Sequence, residues 1–229
     1  VTTPELIIAL RELLDDEQQP FLWKDSALVR YLNDAERQAC RRAYLLIDRN
    51  TASICNISLT ASTASYTLHS KVLQMRRIAV GSSDTPLLIQ TKEEVDYRFN
   101  IGGMDWASYP AGIPEIVITE ANNELIFFPP PQSADVAYLE VARLPKSDLT
   151  NDDTSSPEIP LLYHEDLILW GAHRAFMKND SDSVSVALAR EYEQKFTDRF
   201  GPLPSARSER FRKSQSMRQK ARPKEFGYL

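Results

Sequence analysis

The chain has 229 residues, with 27 Lys+Arg against 32 Asp+Glu, 7 Gly, 14 Pro, 3 His and 2 Cys. That length supports a substantial core and suits one compact domain or a domain with an insertion, while Cys40 and Cys55, fifteen positions apart with no partner pair, exclude a zinc ribbon and a disulfide framework. The net charge of −5 divides unevenly: Ser205 to Leu229 holds eight bases against two acids, a formal +6, and leaves residues 1–204 at −11.

At the N-terminus, Leu6, Ile7, Leu10, Leu13 and Leu14 share one helical face behind Pro4, which predicts an amphipathic helix over 4–15. Its acidic residues and short apolar runs do not fit a signal peptide, and nowhere do eighteen apolar residues follow one another, so a soluble protein made in the cytoplasm is expected. Asp25 is placed to cap a longer helix over 25–48, with Leu28, Tyr31, Leu32, Ala35, Ala39, Ala43 and Leu46 buried and Arg30, Asp34, Arg37 and Arg41 on the other face.

From about residue 51 to 145 the apolar period falls to two, in ASICNISL, SYTLH, RRIAV, PLLIQ, EIVIT, ELIFF and DVAYLEVAR, separated by Gly, Pro and Asn turns. Asn122-Asn123 reads as a hairpin turn, because Asn tolerates positive φ, and short strands with brief connections predict an antiparallel sheet. Thr91 and Glu94 match a capping box for a helix inside this module. A polar loop over 146–160 leads to helices at 161–178 and 182–200. The first carries Leu167, Ile168, Gly171, Ala172, Ala175 and Phe176 on one stripe. The second carries Val184, Leu188, Tyr192, Phe196 and Phe200 at every fourth position. The fold class is α+β: a body, 1–204, built from N- and C-terminal helices around the inserted β module, followed by an extended basic tail, 205–229.

Chemistry-bearing constellations are sparse. His164-Glu165 begins a zinc-protease helix signature, but position 168 is Ile, and His173, nine residues on, lies about half a turn round the helix. His173 is expected to make an interhelical hydrogen bond instead. No glycine-rich phosphate loop occurs, and Cys40 and Cys55, the latter in an alternating strand, are expected to be buried thiols. Neither a cofactor, a metal nor a catalytic residue is expected, and the protein is not expected to be an enzyme.

The tail interleaves bases with Phe211, Met217, Phe226 and Tyr228. Composition allows a nucleic-acid arm, a segment that docks on a protein partner, or a solvated terminus. Docking is favoured, since arginine and aromatic residues anchor interfaces and the −11 body repels duplex DNA. A DNA-binding protein that uses this tail stands as the alternative.

The run Phe21-Leu22-Trp23-Lys24-Asp25, then Leu28, Tyr31-Leu32-Asn33-Asp34-Ala35 and Arg41-Arg42, resembles the start of head-to-tail adaptor (connector) proteins of tailed bacteriophages. So do Glu158-Ile159-Pro160-x-x-Tyr163-His164-x-x-Leu167-x-x-Trp170, Arg174-Ala175-Phe176 and Leu125-x-Phe127-Phe128-Pro129, so that the likeness spans most of residues 20–200. The resemblance implies a structural protein of the virion neck, synthesised in the host cytoplasm. It implies a homo-oligomeric ring, usually of twelve copies, between the portal protein and the tail or nozzle protein. DNA would pass through its channel without specific binding, including at genome ejection, and no membrane is involved. The portal-docking role falls on the tail: Arg207, Arg210, Phe211, Arg212, Lys213, Arg218, Lys220, Arg222, Lys224, Phe226, Tyr228 and Leu229.

Overall fold

The computed structural model describes residues 1–83, 85–100, 108–119, 123–178 and 183–209, apart from the side chains of 98–100 and 183–185. In chain order the elements are α1 (Thr3–Leu13), α2 (Asp25–Ala43), β1 (Ile47–Asp48), α3 (Ala52–Cys55), β2 (Asn56–Leu59), β3 (Ser65–Thr67), β4 (Val72–Val80) and β5 (Leu88–Gln90). They continue with α4 (Lys92–Asn100), β6 (Ile116–Thr119), β7 (Glu124–Phe128), β8 (Asp135–Arg143), a 3-10 turn (Leu161–Tyr163), α5 (Leu167–Met177) and α6 (Ser183–Phe200). Helices with antiparallel and mixed sheets make this an α+β protein. It divides into two compact units, Val1–Ile47 with Ala142–Ser205, and Asp48–Val141 with Ala206–Leu229.

In the first unit, a capping box starts α1: the Glu5 carboxylate accepts the Thr2 N–H at 2.7 Å and the Glu5 N–H reaches Thr2 Oγ1 at 3.5 Å. The helix expected to reach residue 15 ends at Leu13, because Leu14 caps it and Asp15 takes φ 55°. Its face of Leu6, Ile7 and Leu10 is buried against α2 and α5. Gly171 permits the approach of α5, since a Cβ there would lie 2.8 Å from Leu10 Cδ2. The helix expected over 25–48 stops at Ala43, and Asp25 does not cap it: Lys24 holds the N-cap position without a side-chain bond, while the Asp25 carboxylate is taken by Arg11. Tyr44 adopts a left-handed conformation (φ 51°) with its N–H on the Cys40 carbonyl, and Leu46 O then accepts the Arg143 N–H at 3.0 Å. The helical drift also buries Arg42 and exposes Ala43, reversing the expectation for that turn. The helix expected from 161 begins instead with the 3-10 turn and becomes α-helical only at Leu167. Pro160 and the buried His164, whose Nε2 meets the Ile159 carbonyl at 2.8 Å, hold the chain in a tighter turn. The stripe of α6 buries Phe196 and Phe200, half-buries Leu188 and Tyr192, and adds Ala189; the Val184 side chain lies outside the described residues.

In the second unit, the alternating runs form two four-stranded sheets, one ordered β1-β8-β2 with β4 also paired to β8, the other ordered β3-β7-β6-β5. The all-antiparallel expectation fails at β5 and β6, which pair in parallel, Leu88 opposite Ile116. The connection between them carries α4, and a long crossover is what parallel pairing requires. The expected capping box opens α4, with the Thr91 N–H on Glu94 at 3.0 Å and the Glu94 N–H on Thr91 at 3.3 Å. Strand β6 is buried on both faces: Val117 joins a core with Leu125, Phe127, Leu139 and Val141, while Ile116 and Ile118 pack with Val95 and Phe128. Between β6 and β7, Asn123 has φ 67°, as a reversing residue should; Asn122 lies outside the described residues.

The start of ASICNISL is not strand, and Cys55 is buried at the end of the helical turn α3. Asp48 causes this, its carboxylate accepting the Asn50 N–H at 2.9 Å, the Thr51 N–H at 3.1 Å and the Thr51 hydroxyl at 2.6 Å, which winds the chain locally.

Candidate functional site

Several residues of the adaptor-like motifs take part in the polar fasteners of the helical unit. Arg11, 7% exposed, donates to Asp16 and Asp25 and to the Trp23 carbonyl at 2.9 Å, with its guanidinium 3.8 Å from the Phe21 ring centroid. Asp16 in turn accepts the Leu22 N–H at 2.7 Å, so the Phe21–Asp25 segment is tied to α1 through its backbone. Asn33 clamps the polar loop: its Nδ2 donates to Leu149 O at 3.0 Å and its Oδ1 accepts the Leu149 N–H at 2.7 Å. Trp170 Nε1 donates to Asp34 at 2.8 Å, which fixes α5 on α2.

A second fastener surrounds Glu36, which is 1% exposed and accepts the N–H groups of Glu158 at 2.6 Å and Ile159 at 3.3 Å. Burial pushes its carboxyl up to about 7 against the opposing effect of those bonds, with the Glu158 and Asp148 charges adding to the rise. Glu158 behaves oppositely. Burial pushes it upward, but the two bonds from Arg143 and one from the Lys146 N–H outweigh that and hold it at about 2. The Cys40 thiol beside them is pushed up to about 12, chiefly by burial and then by Glu36 and Glu158, which keeps it protonated and unreactive.

His173 Nδ1 meets the Ala189 carbonyl at 2.9 Å, the interhelical bond expected of it, joining α5 to α6. Arg42 lies 5.0 Å from the ring centroids of both Trp170 and Phe196. Its Nη1 donates to Thr197 Oγ1 at 3.0 Å and Gly201 O at 3.1 Å, while Nε and Nη2 are buried without a hydrogen-bond partner among the described residues. Burial lowers its pKa. Among the described residues no group of three or more His, Cys, Asp or Glu is placed to hold a metal ion, and no helix is long and apolar enough to cross a membrane.

The second unit contains a groove of about 630 Å³, within the range of ligand-sized cavities. Three segments form it: the turn after β4, residues 112–115, and residues 131–135. Gly112 and Pro131 pair across it, with the Gly112 N–H on Pro130 O at 2.8 Å and the Gln132 N–H on Gly112 O at 2.9 Å. Gly81 is required by both conformation and space: its φ is 66°, and a Cβ there would stand 2.7 Å from Asp135 Oδ2.

Of the residues expected to dock on a portal, Arg207 is exposed in a helical turn over 206–209. Arg210, Phe211, Arg212, Lys213, Arg218, Lys220, Arg222, Lys224, Phe226, Tyr228 and Leu229 lie outside the described residues. Sequence reading missed Arg11, Glu36 and Arg143 as buried charges, and the whole groove. Glu36 carries a usable signal, standing one turn on from Leu32 and two from Leu28 in the apolar stripe, where a charge needs a partner.

No curated protein matches the chain. The family described as SU10 adaptor protein matches residues 1–220, which takes in every motif behind the resemblance, the whole helical unit and the first part of the basic segment. The chain therefore belongs to the SU10 adaptor protein family, in keeping with a phage head-to-tail adaptor.

Proposed function

We propose that this phage structural adaptor forms a ring, of twelve copies, in the virion neck between the portal and the tail or nozzle, and that the genome passes through its channel. The observation that carries this reading is the family match over residues 1–220, which includes the first part of the basic run. In this reading the work is binding without turnover. The −11 charge of residues 1–204 suits a wall that DNA passes without adhering, because phosphates are repelled rather than gripped. The basic aromatic tail, Arg207 and Arg210 through Leu229, supplies the attachment to the portal.

Mixing the purified full-length protein with portal rings and imaging the mixture tests this. Added ring density on one face of the portal, absent when Arg210, Arg212 and Lys213 are each changed to Glu, is the expected result. Portal rings that stay bare at micromolar protein, or attachment indifferent to those reversals, overturn the ring or the anchor respectively. Binding to duplex DNA with a steep negative salt dependence would favour the DNA-binding alternative.

A further inference from the structure

We infer that the groove in the second unit is a parking site for the chain's own basic segment, with Phe211 as the side chain it receives. The groove offers apolar surface beside free negative charge. Ile113 is 72% exposed, Pro86 is exposed and Pro131 lies behind them. Glu115 and Asp135 line the same groove, both are exposed, and neither makes an ion pair among the described residues. An occupant should therefore combine cations with an apolar ring.

The sequence contains that combination close at hand. Phe211 is flanked by Arg210 on one side and Arg212 and Lys213 on the other, without an acid, and residues 210–229 hold seven bases against Glu225 alone. An aromatic residue between cations complements apolar surface between carboxylates, and both residue types are suited to anchoring contacts. The groove lies in the unit that Ala206 and the residues after it join, which favours the chain's own segment over that of another copy. Asp135 is held for the purpose: it overhangs Gly81, whose N–H bonds Val136 O at 2.9 Å, and accepts the Val136 N–H itself at 2.7 Å. The inference does not depend on the neck reading, because a tail that attaches elsewhere would first leave this groove.

The test uses the full-length chain with Phe211→p-benzoylphenylalanine, irradiated at low salt, the adducts being mapped by mass spectrometry. Expected are intramolecular adducts on residues 80–87, 112–115 and 131–135. Their yield should fall about fivefold in the Glu115→Gln, Asp135→Asn variant, a pair of near-isosteric changes that leaves the fold intact. Raising salt to about 0.5 M in the unaltered groove should lower the yield in the same direction. Adducts elsewhere, or a yield indifferent to both charge removal and salt, overturn the proposal. The same adducts confined to covalent dimers overturn the assignment to the chain's own tail.

Discussion

Glu36 accepts the backbone N–H of Glu158 at 2.6 Å, joining the buried face of α2 to a loop 122 residues further along the chain. The contact sets a pH dependence whose sign can be worked out. A carboxyl raised from 4.5 to about 7 on folding means that the native state binds the proton more tightly than the unfolded chain. Stability from this group is therefore greatest below 4.5 and declines as pH rises to about 7, by about 3 kcal/mol in all. The charged neighbours that face it are Glu158, Asp148 and, through Glu158, Arg143 and Lys146, with the Cys40 thiol alongside. Glu36→Gln keeps an acceptor for the two N–H groups but cannot titrate. Urea unfolding between pH 5 and 8, values chosen to bracket the raised carboxyl, should show a falling stability for the native chain and a flat one for the variant. A slope that survives the substitution assigns the titration to another group.

Glu158 supplies the opposite limb. Its folded value of about 2 lies below 4.5, so its stabilisation is present above 4.5 and is lost as pH falls towards 2. Glu158→Gln should flatten acid unfolding in that interval while leaving the decline at higher pH in place. It also leaves Arg143, 5% exposed, without its carboxylate, and a buried charge stripped of its partner is costly. At pH 7 the variant should lose about 2 kcal/mol, reduced from a fully buried pair because Glu158 keeps partial access to water. Thermal melts at pH 3 and 7, on either side of the ordinary carboxylate value of 4.5, separate the two effects.

Asn33 is the clamp most exposed to a single change. Asn33→Leu preserves bulk but leaves the Leu149 N–H and C=O inside the protein without their side-chain partners. A loss of about 2–4 kcal/mol is expected, the sum for two unsatisfied backbone groups. Because the released element is the 144–160 loop, limited proteolysis should cut there faster than in the native chain, whereas a variant destabilised uniformly would show no such preference.

How much of this was legible follows from the range over which each contact acts. The faces of α1 and α2, the Thr91–Glu94 box and the positive φ of Asn123 depend on residues within one turn of each other, and local spacing displays them. The parallel pairing of β5 with β6 depends on a crossover, which alternation within either strand cannot reveal. Cys55 was misplaced because Asp48 captures Thr51, and a side-chain bond then overrides an alternating pattern. The buried polar groups were hidden for a different reason: Glu36 and Asn33 find their partners more than 110 positions away. Of the residues expected to dock on the portal, Arg207 alone falls among the described residues, so the docking role rests on composition and family likeness.

Arg42 tests whether a buried charge in this family serves stability at all. Its guanidinium lies against both Trp170 and Phe196, whose ring centroids are 5.1 Å apart, and bonds Thr197 and Gly201 through Nη1 only, with Nε and Nη2 buried and without a hydrogen bond among the described residues. The desolvation cost of such a cation offsets much of what its contacts contribute. Arg42→Met keeps an unbranched chain against the two rings and removes the charge, so it should change stability by no more than about 1 kcal/mol in either direction. Arg42→Ala removes the packing as well and should cost about 3 kcal/mol, as cavity-forming substitutions do. Urea unfolding followed by tryptophan fluorescence reads both, because Trp170 reports directly on the site. If Met proved as damaging as Ala, the cation and its two hydrogen bonds, rather than the packing of the side chain against the rings, would be what holds the end of α6 to α2.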